Sequence, residues 1–304
     1  MEDGDTKTMM TRLVNNVKTT IFLALIIGLF MGFGYFFGGS RGLIIGFLFG
    51  GLSNLVAYYF SDKIALMSTG AQPVSETQAP QLYRIVRDLS EKAGLPMPRV
   101  YIAPQAAPNA FATGRNPKHS VVAVTEGLLR LCNEQELTGV LAHEIAHVKH
   151  RDMLISTIAA TVAGAISALA YMGQWALIFG GSRDSEGRGG NAIGLLLMII
   201  LAPIAAALIH MAVSRSREYN ADSAGGELCG NPLWLASALA KLEGYNKRIP
   251  MDVNPAQSHL FIVQPLIPSG LSTLFSTHPP VQKRIELLEQ EAENMGITAR
   301  RIRG

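Results

Sequence analysis

The chain has 304 residues, of which 16% are charged and 48% hydrophobic, with a positive mean hydropathy. That is too apolar for an ordinary soluble domain, and a net charge of +3 carries no bulk signal for nucleic acid. Two cysteines, Cys132 and Cys229, have neither metal-type spacing nor the density of a disulfide framework, so they read as free thiols in a reducing compartment.

Residues 1–19 are polar and carry Lys7, Arg12 and Lys18. Residues 21–39 are apolar and uncharged, long enough as a helix to cross a bilayer core of about 30 Å. A cleaved signal peptide fits poorly, because the run is too long and no small-x-small site follows it. Gly38, Gly39, Ser40 and Arg41 read as a turn, and a second apolar run over residues 42–60 follows at once. The pair is expected to form a transmembrane hairpin.

Asp62 and Lys63 end the apolar stretch. Over residues 81–95, Leu82, Ile85, Val86 and Leu89 recur at helical spacing. Residues 99–103 and 120–124 are short and β-branched, which predicts strands, and residues 109–114 between them read as another short strand. Asn133 followed by Glu136 marks a helix start. The helix continues through Leu137, Leu141, Ile145 and Val148, an apolar stripe that faces a core.

Two further apolar blocks, residues 154–180 and 192–213, flank a polar loop. They read as a second transmembrane hairpin. The first of them is rich in Ala, Gly, Ser and Thr, so a buried helix of a soluble core is its alternative. The tail is polar again. Asn231-Pro232 looks like a helix cap, residues 250–277 like an irregular stretch, and residues 280–294 like a helix stopped near Gly296. Lys and Arg gather at the N-terminus and beside Lys63, Lys149, Arg151, Arg215 and Arg217, while the two hairpin turns hold few. The positive-inside rule then puts both termini and both polar regions in the cytoplasm.

The chemistry lies in His143-Glu144-Ile145-Ala146-His147. Histidines four apart share one helical face and can grip one zinc ion, with the intervening glutamate offset to serve as base. A catalytic zinc needs a third protein ligand and an open position. The class that takes a third His after an HxxGxxH continuation is excluded, because His150 and Met153 occupy the Gly and His positions. His150 reads as a surface or neighbouring residue. A carboxylate on a second helix is the alternative, and residues 214–222 supply one. Glu218 and Asp222 are four apart, so Glu218 can bind the metal while Asp222 accepts the outer N–H of a ligating His.

HEIAHVKHRD, followed after two apolar blocks by SRSREYNAD, resembles the HtpX membrane proteases, relatives of the CAAX prenyl proteases. The leading hairpin, the segment Pro108-Asn-Ala-Phe-Ala-Thr-Gly114, and Ser276-Thr-His-Pro-Pro280 with Arg284-Ile285 extend the likeness over nearly the whole chain. The resemblance implies zinc, one per chain, held by His143, His147 and Glu218, with Glu144 as catalytic base. It also implies a quality-control and stress-response endopeptidase of the bacterial inner membrane, acting on damaged or misfolded membrane proteins and unfolded polypeptides alongside other quality-control partners. His278 is the candidate oxyanion donor, with capping near Pro279 as its other reading. Asn109, Ala110, Phe111 and Ala112 are candidates for an edge strand that pairs with substrate, or else for an ordinary hairpin strand.

The expected fold is α+β and mostly helical, a zincin-like metalloprotease domain fused to transmembrane helices. Residues 1–60 form the N-terminal hairpin, 61–153 the first part of the catalytic domain, 154–213 the second hairpin and 214–304 the second part. The expected partners are polypeptide substrates and the lipid bilayer, with no nucleic acid. A non-enzymatic scaffold is disfavoured because all four of His143, Glu144, His147 and Glu218 are present. Catalysis within the membrane is disfavoured because the motif lies between polar flanks. A prenyl-protein protease is disfavoured because the apparent spans are too few for a many-helix chamber.

Overall fold

The computed structural model describes residues 2–153, 215–248, 261–263 and 279–297. The expected second hairpin, most of the irregular stretch over 250–277, and His278 lie outside the described residues.

Helix α1 (Glu2–Tyr59) has one break, at Gly39, where φ is 57° and only glycine escapes a steric penalty. The chain folds back there, and Asn54 Nδ2 donates to Leu23 O across the two arms at 2.9 Å. The arms touch backbone to backbone. A Cβ on Gly34 would sit 2.0 Å from Gly42 O, and one on Gly46 would sit 2.2 Å from Phe30 O. Small residues at such a seam are how helices pack where lipid removes the hydrophobic drive. The outward side chains, among them Ile45, Leu48, Phe49 and Leu52, are exposed and apolar. Among the described residues, one helical stretch, Gly38–Val56, is long and apolar enough to cross a membrane. The second arm ends in Tyr58, Tyr59 and Phe60. Lys63 Nζ lies 5.2 Å from the Phe60 ring centroid and Arg115 Cζ 5.4 Å from that of Tyr59. Aromatic rings with cationic partners suit the boundary between bilayer and water.

Helix α2 (Ser61–Thr69) follows directly and stops at Gly70, in the left-handed region. It was not anticipated, since Asp62 and Lys63 read only as the end of the apolar run. Ala65 and Leu66 pack on one face of a four-stranded sheet, against Ala103, Phe111, Val121 and Ala123. The sheet order is β1 (Gln72–Pro73), β2 (Arg99–Ala103), β4 (Val121–Thr125), β3 (Ala110–Thr113). β2 and β4 run parallel, and the two outer pairings are antiparallel. β4 is covered on both faces, so all five of its residues are buried, as its unbroken β-branched character requires.

The other face of the sheet meets the helices. α3 (Pro80–Ala93) begins with proline at its first position and ends on left-handed Gly94, burying the four apolar residues read from the sequence. A short helix, α4 (Glu126–Leu131), leads to α5 (Glu134–His150). α5 opens with a reciprocal cap: Asn133 Oδ1 accepts from the Glu136 N–H, and Glu136 Oε2 accepts from the Asn133 N–H, both at 2.9 Å. Around α5 stand α6 (Arg215–Cys229), α7 (Pro232–Arg248) and α8 (Val281–Asn294). One apolar core draws Leu82, Val124, Leu141, Leu239 and Leu288 together from both polar regions of the chain. Two glycines let the helices approach. A Cβ on Gly139 would meet Leu235 N of α7 at 2.5 Å, and one on Gly225 of α6 would meet His143 N at 2.9 Å. Ser237 and Lys241 of α7 both donate to the Glu136 carboxylate at 2.7 Å, so the residue that caps α5 also ties it to its neighbour.

Candidate metal centre

One turn of α5 separates His143 from His147, and the two rings stand edge to face with centroids 4.7 Å apart. Their Nε2 atoms converge to 3.2 Å. From α6, Glu218 places Oε1 3.6 Å from His147 Nε2 and Oε2 3.8 Å from His143 Nε2. One ligand atom from each of the three residues lies within 4.8 Å of the other two. Among the described residues this is the grouping that offers a metal its donors. Two imidazole nitrogens this close, with a carboxylate beside them, call for a positive charge between them, either a shared proton or a metal ion. The donor set of two imidazoles and one carboxylate fits a divalent metal of the zinc type, with a fourth position left for a reactant.

The outer nitrogens explain why both Nε2 atoms point inward. His143 Nδ1 lies 2.9 Å from Asp222 Oδ1, a close but bent electrostatic contact. His147 Nδ1 lies 3.1 Å from Asp152 Oδ2. A carboxylate at Nδ1 holds the proton there and leaves Nε2 free to donate its lone pair to a metal. Asp222 is itself clasped by Arg284 of α8, whose Nε and Nη2 each donate to one of its oxygens at 2.7 Å. Arg284 is wholly buried; its Nη1 donates to Ile262 O at 2.8 Å and lies 3.9 Å from Glu218 Oε2. A planar fork that serves two carboxylates and a carbonyl explains how a guanidinium survives burial here.

These contacts set the charges. Burial alone would raise the Asp222 carboxyl, but Arg284, with His143, outweighs it and holds the group below the usual range. Burial would lower the His147 imidazole, but the Asp152 hydrogen bond and the Glu218 charge lift it to about 9. The Glu144 carboxyl is pushed up by burial and by Glu218, against the pull of His143, His147 and the Ala112 amide.

Glu144 lies outside the ligand group. Its Oε2 accepts the Ala112 N–H at 2.8 Å, which places the carboxylate between the metal helix and strand β3. β3 is an edge strand, with no strand beyond it among the described residues. Asn109 O accepts from Thr125 N, so in the two-residue alternation of an antiparallel pair Ala110 and Ala112 turn their backbone groups away from β4. Within the segment expected to meet substrate, the side chains have other duties. Asn109 is buried, with Oδ1 accepting from Ile262 N–H at 3.2 Å, and Phe111 packs toward α2. His150 is not among the grouped ligand atoms.

Two contributors escaped the sequence reading. Asp152 reaches His147 because Arg151 takes a left-handed φ of 60°, alone in this among the non-glycine described residues, and turns the chain back over the end of α5. Arg284 was noted only as part of a motif. A buried arginine in an otherwise apolar helix face, with Ile285 and Leu288, is the signal that could have exposed it.

The family pattern of Peptidase family M48 matches residues 76–292. The chain is 53% identical over 281 residues to a protein named Protease HtpX homolog from Desulforapulum autotrophicum, covering 92% of this chain and 91% of that one. It is 52% identical over 286 residues to one of the same name from Thermococcus kodakarensis, covering 94% and 99%. The crystal structure of S. mikatae Ste24p superposes with a TM-score of 0.50 at 20% identity, over 93% of this chain and 67% of that one, a likeness of fold. With the HExxH helix and its carboxylate partner already in place, the chain belongs to peptidase family M48, as a metalloprotease of the HtpX type.

Proposed function

We propose that this membrane metalloprotease is a zinc-dependent endopeptidase of the bacterial inner membrane that cuts damaged or misfolded membrane proteins in quality control under stress. The observation that carries the reading is Glu144, buried beside the His143–His147–Glu218 group and hydrogen-bonded to the amide of an edge strand. His143, His147 and Glu218 would hold the ion, and Asp222 would orient His143 from behind. When bound, zinc supplies Lewis-acid polarisation of the scissile carbonyl and of the attacking water. Glu144 takes the water proton and returns it to the leaving amine, a duty that a carboxyl raised by burial suits. The backbone of β3 orients the extended peptide by strand addition. His278 is the proposed side-chain donor to the oxyanion. The domain limits stated above and the cytoplasmic placement of both termini and the catalytic core complete the proposal, on the strength of the Lys/Arg asymmetry.

The test is metal analysis of detergent-purified protein beside casein cleavage, with and without a chelator. The wild type should carry one zinc and lose cleavage on chelation. Glu144→Gln should keep the zinc and lose cleavage, and His147→Ala should lose both. A zinc-loaded Glu144→Gln protein with full activity would remove Glu144 as the base.

A further inference from the structure

The metal centre and the membrane hairpin are joined by very few residues, and those residues have a direction. Tyr59 closes the second arm of the hairpin and so marks the level of the lipid headgroups. Arg115 lies over its ring, at 5.4 Å. Between Arg115 and the catalytic carboxylate lie only the end of β3 and Gly114, because the Ala112 amide meets Glu144 at 2.8 Å. Three residues of chain cover at most about 10 Å. The C-terminal end of β3 therefore abuts the bilayer surface, and its middle abuts the reacting bond.

A peptide added to this edge can run one of two ways. Antiparallel pairing gives straight, closely spaced hydrogen bonds and is the more stable per residue. β3 already pairs in that sense with β4. An antiparallel guest has its N-terminal side opposite Thr113 and Arg115, and its C-terminal side toward Ala110. The membrane is thus on the N-terminal side of the bond that is cut.

We propose that substrates are drawn from the bilayer with a membrane segment preceding the scissile bond, and that the chain leaving that segment runs along β3 from Arg115 toward Ala110. This rests on the reading of β3 as the substrate edge of a peptidase. It sets a ruler: the first cut falls about three to six residues beyond the end of the membrane segment, the span from Tyr59 to Glu144. A tail that precedes its membrane segment meets the edge backwards. It must pass the site, turn and return to the bilayer, so its cuts lie about ten or more residues from the membrane.

The experiment uses the full-length zinc-loaded protein in vesicles of phosphatidylethanolamine and phosphatidylglycerol. Two single-span reporters carry the same unfolded tail of about 30 residues, one after the span and one before it. Cut positions are read by mass spectrometry, with casein added as a soluble control. The tail after the span should be cut first within about six residues of the bilayer, at least tenfold faster there than the tail before the span at equal distance. A flexible Gly-Ser insert of about four or eight residues next to the span should move the cut in sequence while its distance from the bilayer stays the same. Equal or reversed cutting of the two tails, a cut that follows sequence instead of distance, or no cutting of either reporter while casein is cleaved would each overturn the inference. Failure to cleave casein as well would instead sink the peptidase reading on which it rests.

Discussion

His143 and His147 have the same side chain and face the same point, yet they are held in opposite ways. The side chain of His143 is 2% exposed, and its outer nitrogen faces Asp222, which stands on another helix and is gripped by Arg284 from a third. The side chain of His147 is 15% exposed, and its outer nitrogen meets Asp152 in the turn that ends its own helix. One imidazole is oriented entirely from other helices, the other first by a local reversal of its own chain, with the charge of Arg217 on α6 facing Asp152 behind it. Loss of the first support should therefore cost the fold more than loss of the second.

The largest effect that bears on this contrast is expected from Arg284→Ala. It strips Asp222 of its counter-charge inside the core, a loss of about 3–5 kcal/mol for a broken buried pair. Denaturation in detergent should show the loss, and zinc titration should show weaker binding. Near-normal stability would mean that the His143 side is not anchored through this pair. The contrast sharpens when Asp222→Asn is set beside Asp152→Asn. Each should weaken zinc binding by roughly 10- to 100-fold. Asp222→Asn, which unbalances the wholly buried Arg284, should lower the unfolding midpoint further than Asp152→Asn, which weakens the charge facing Arg217 of α6; equal losses of stability would erase the distinction.

A smaller effect, entering through the backbone of His143, is expected from Gly225→Ala. The new Cβ would meet His143 N at 2.9 Å, so α6 must retreat from α5 and take Glu218 and Asp222 with it. Overpacking of this kind costs about 1–3 kcal/mol, and zinc affinity should fall, while Ala at Gly51, where a Cβ would meet nothing within 4 Å, changes neither. The smallest is in acid. The folded Asp222 carboxyl lies below its unfolded value of about 3.9, so its contribution is complete above that pH and is lost as the pH falls through the folded value. Asp222→Asn should flatten the stability profile below about pH 4 and leave its slope above that unchanged. An acid limb identical to that of the wild type would show that Asp222 is not depressed.

What could be read from the sequence follows the same divide. The spacing of His143 and His147, and of Glu218 and Asp222, is a local property of a helix, and so is the Asn133–Glu136 cap; each needs only 3.6 residues per turn. Strands β2 and β4 announced themselves by β-branching. Arg284 could not be assigned a partner, because its meeting with Asp222 depends on α8 packing back over α6, across 62 residues of chain. Asp152 is close in sequence but was equally hidden, since arginine carries no preference for the left-handed turn that swings it round. α2 was masked by the apolar run before it, and β1, two residues long with a proline, has no period to read. The hairpin turn, read over four residues, narrows to Gly39.

The double grip on Glu136 has a mechanical consequence. Its carboxylate binds the start of α5 to Ser237 and Lys241, while the Arg151 reversal closes the far end. A helix free to spin about its axis by 20° would sweep side-chain tips at a radius of about 5–6 Å through roughly 2 Å. Metal bonds tolerate about a tenth of that. Torsional stiffness in the rod, set almost two turns away from His143, is thus part of what keeps three ligand atoms aimed at one point.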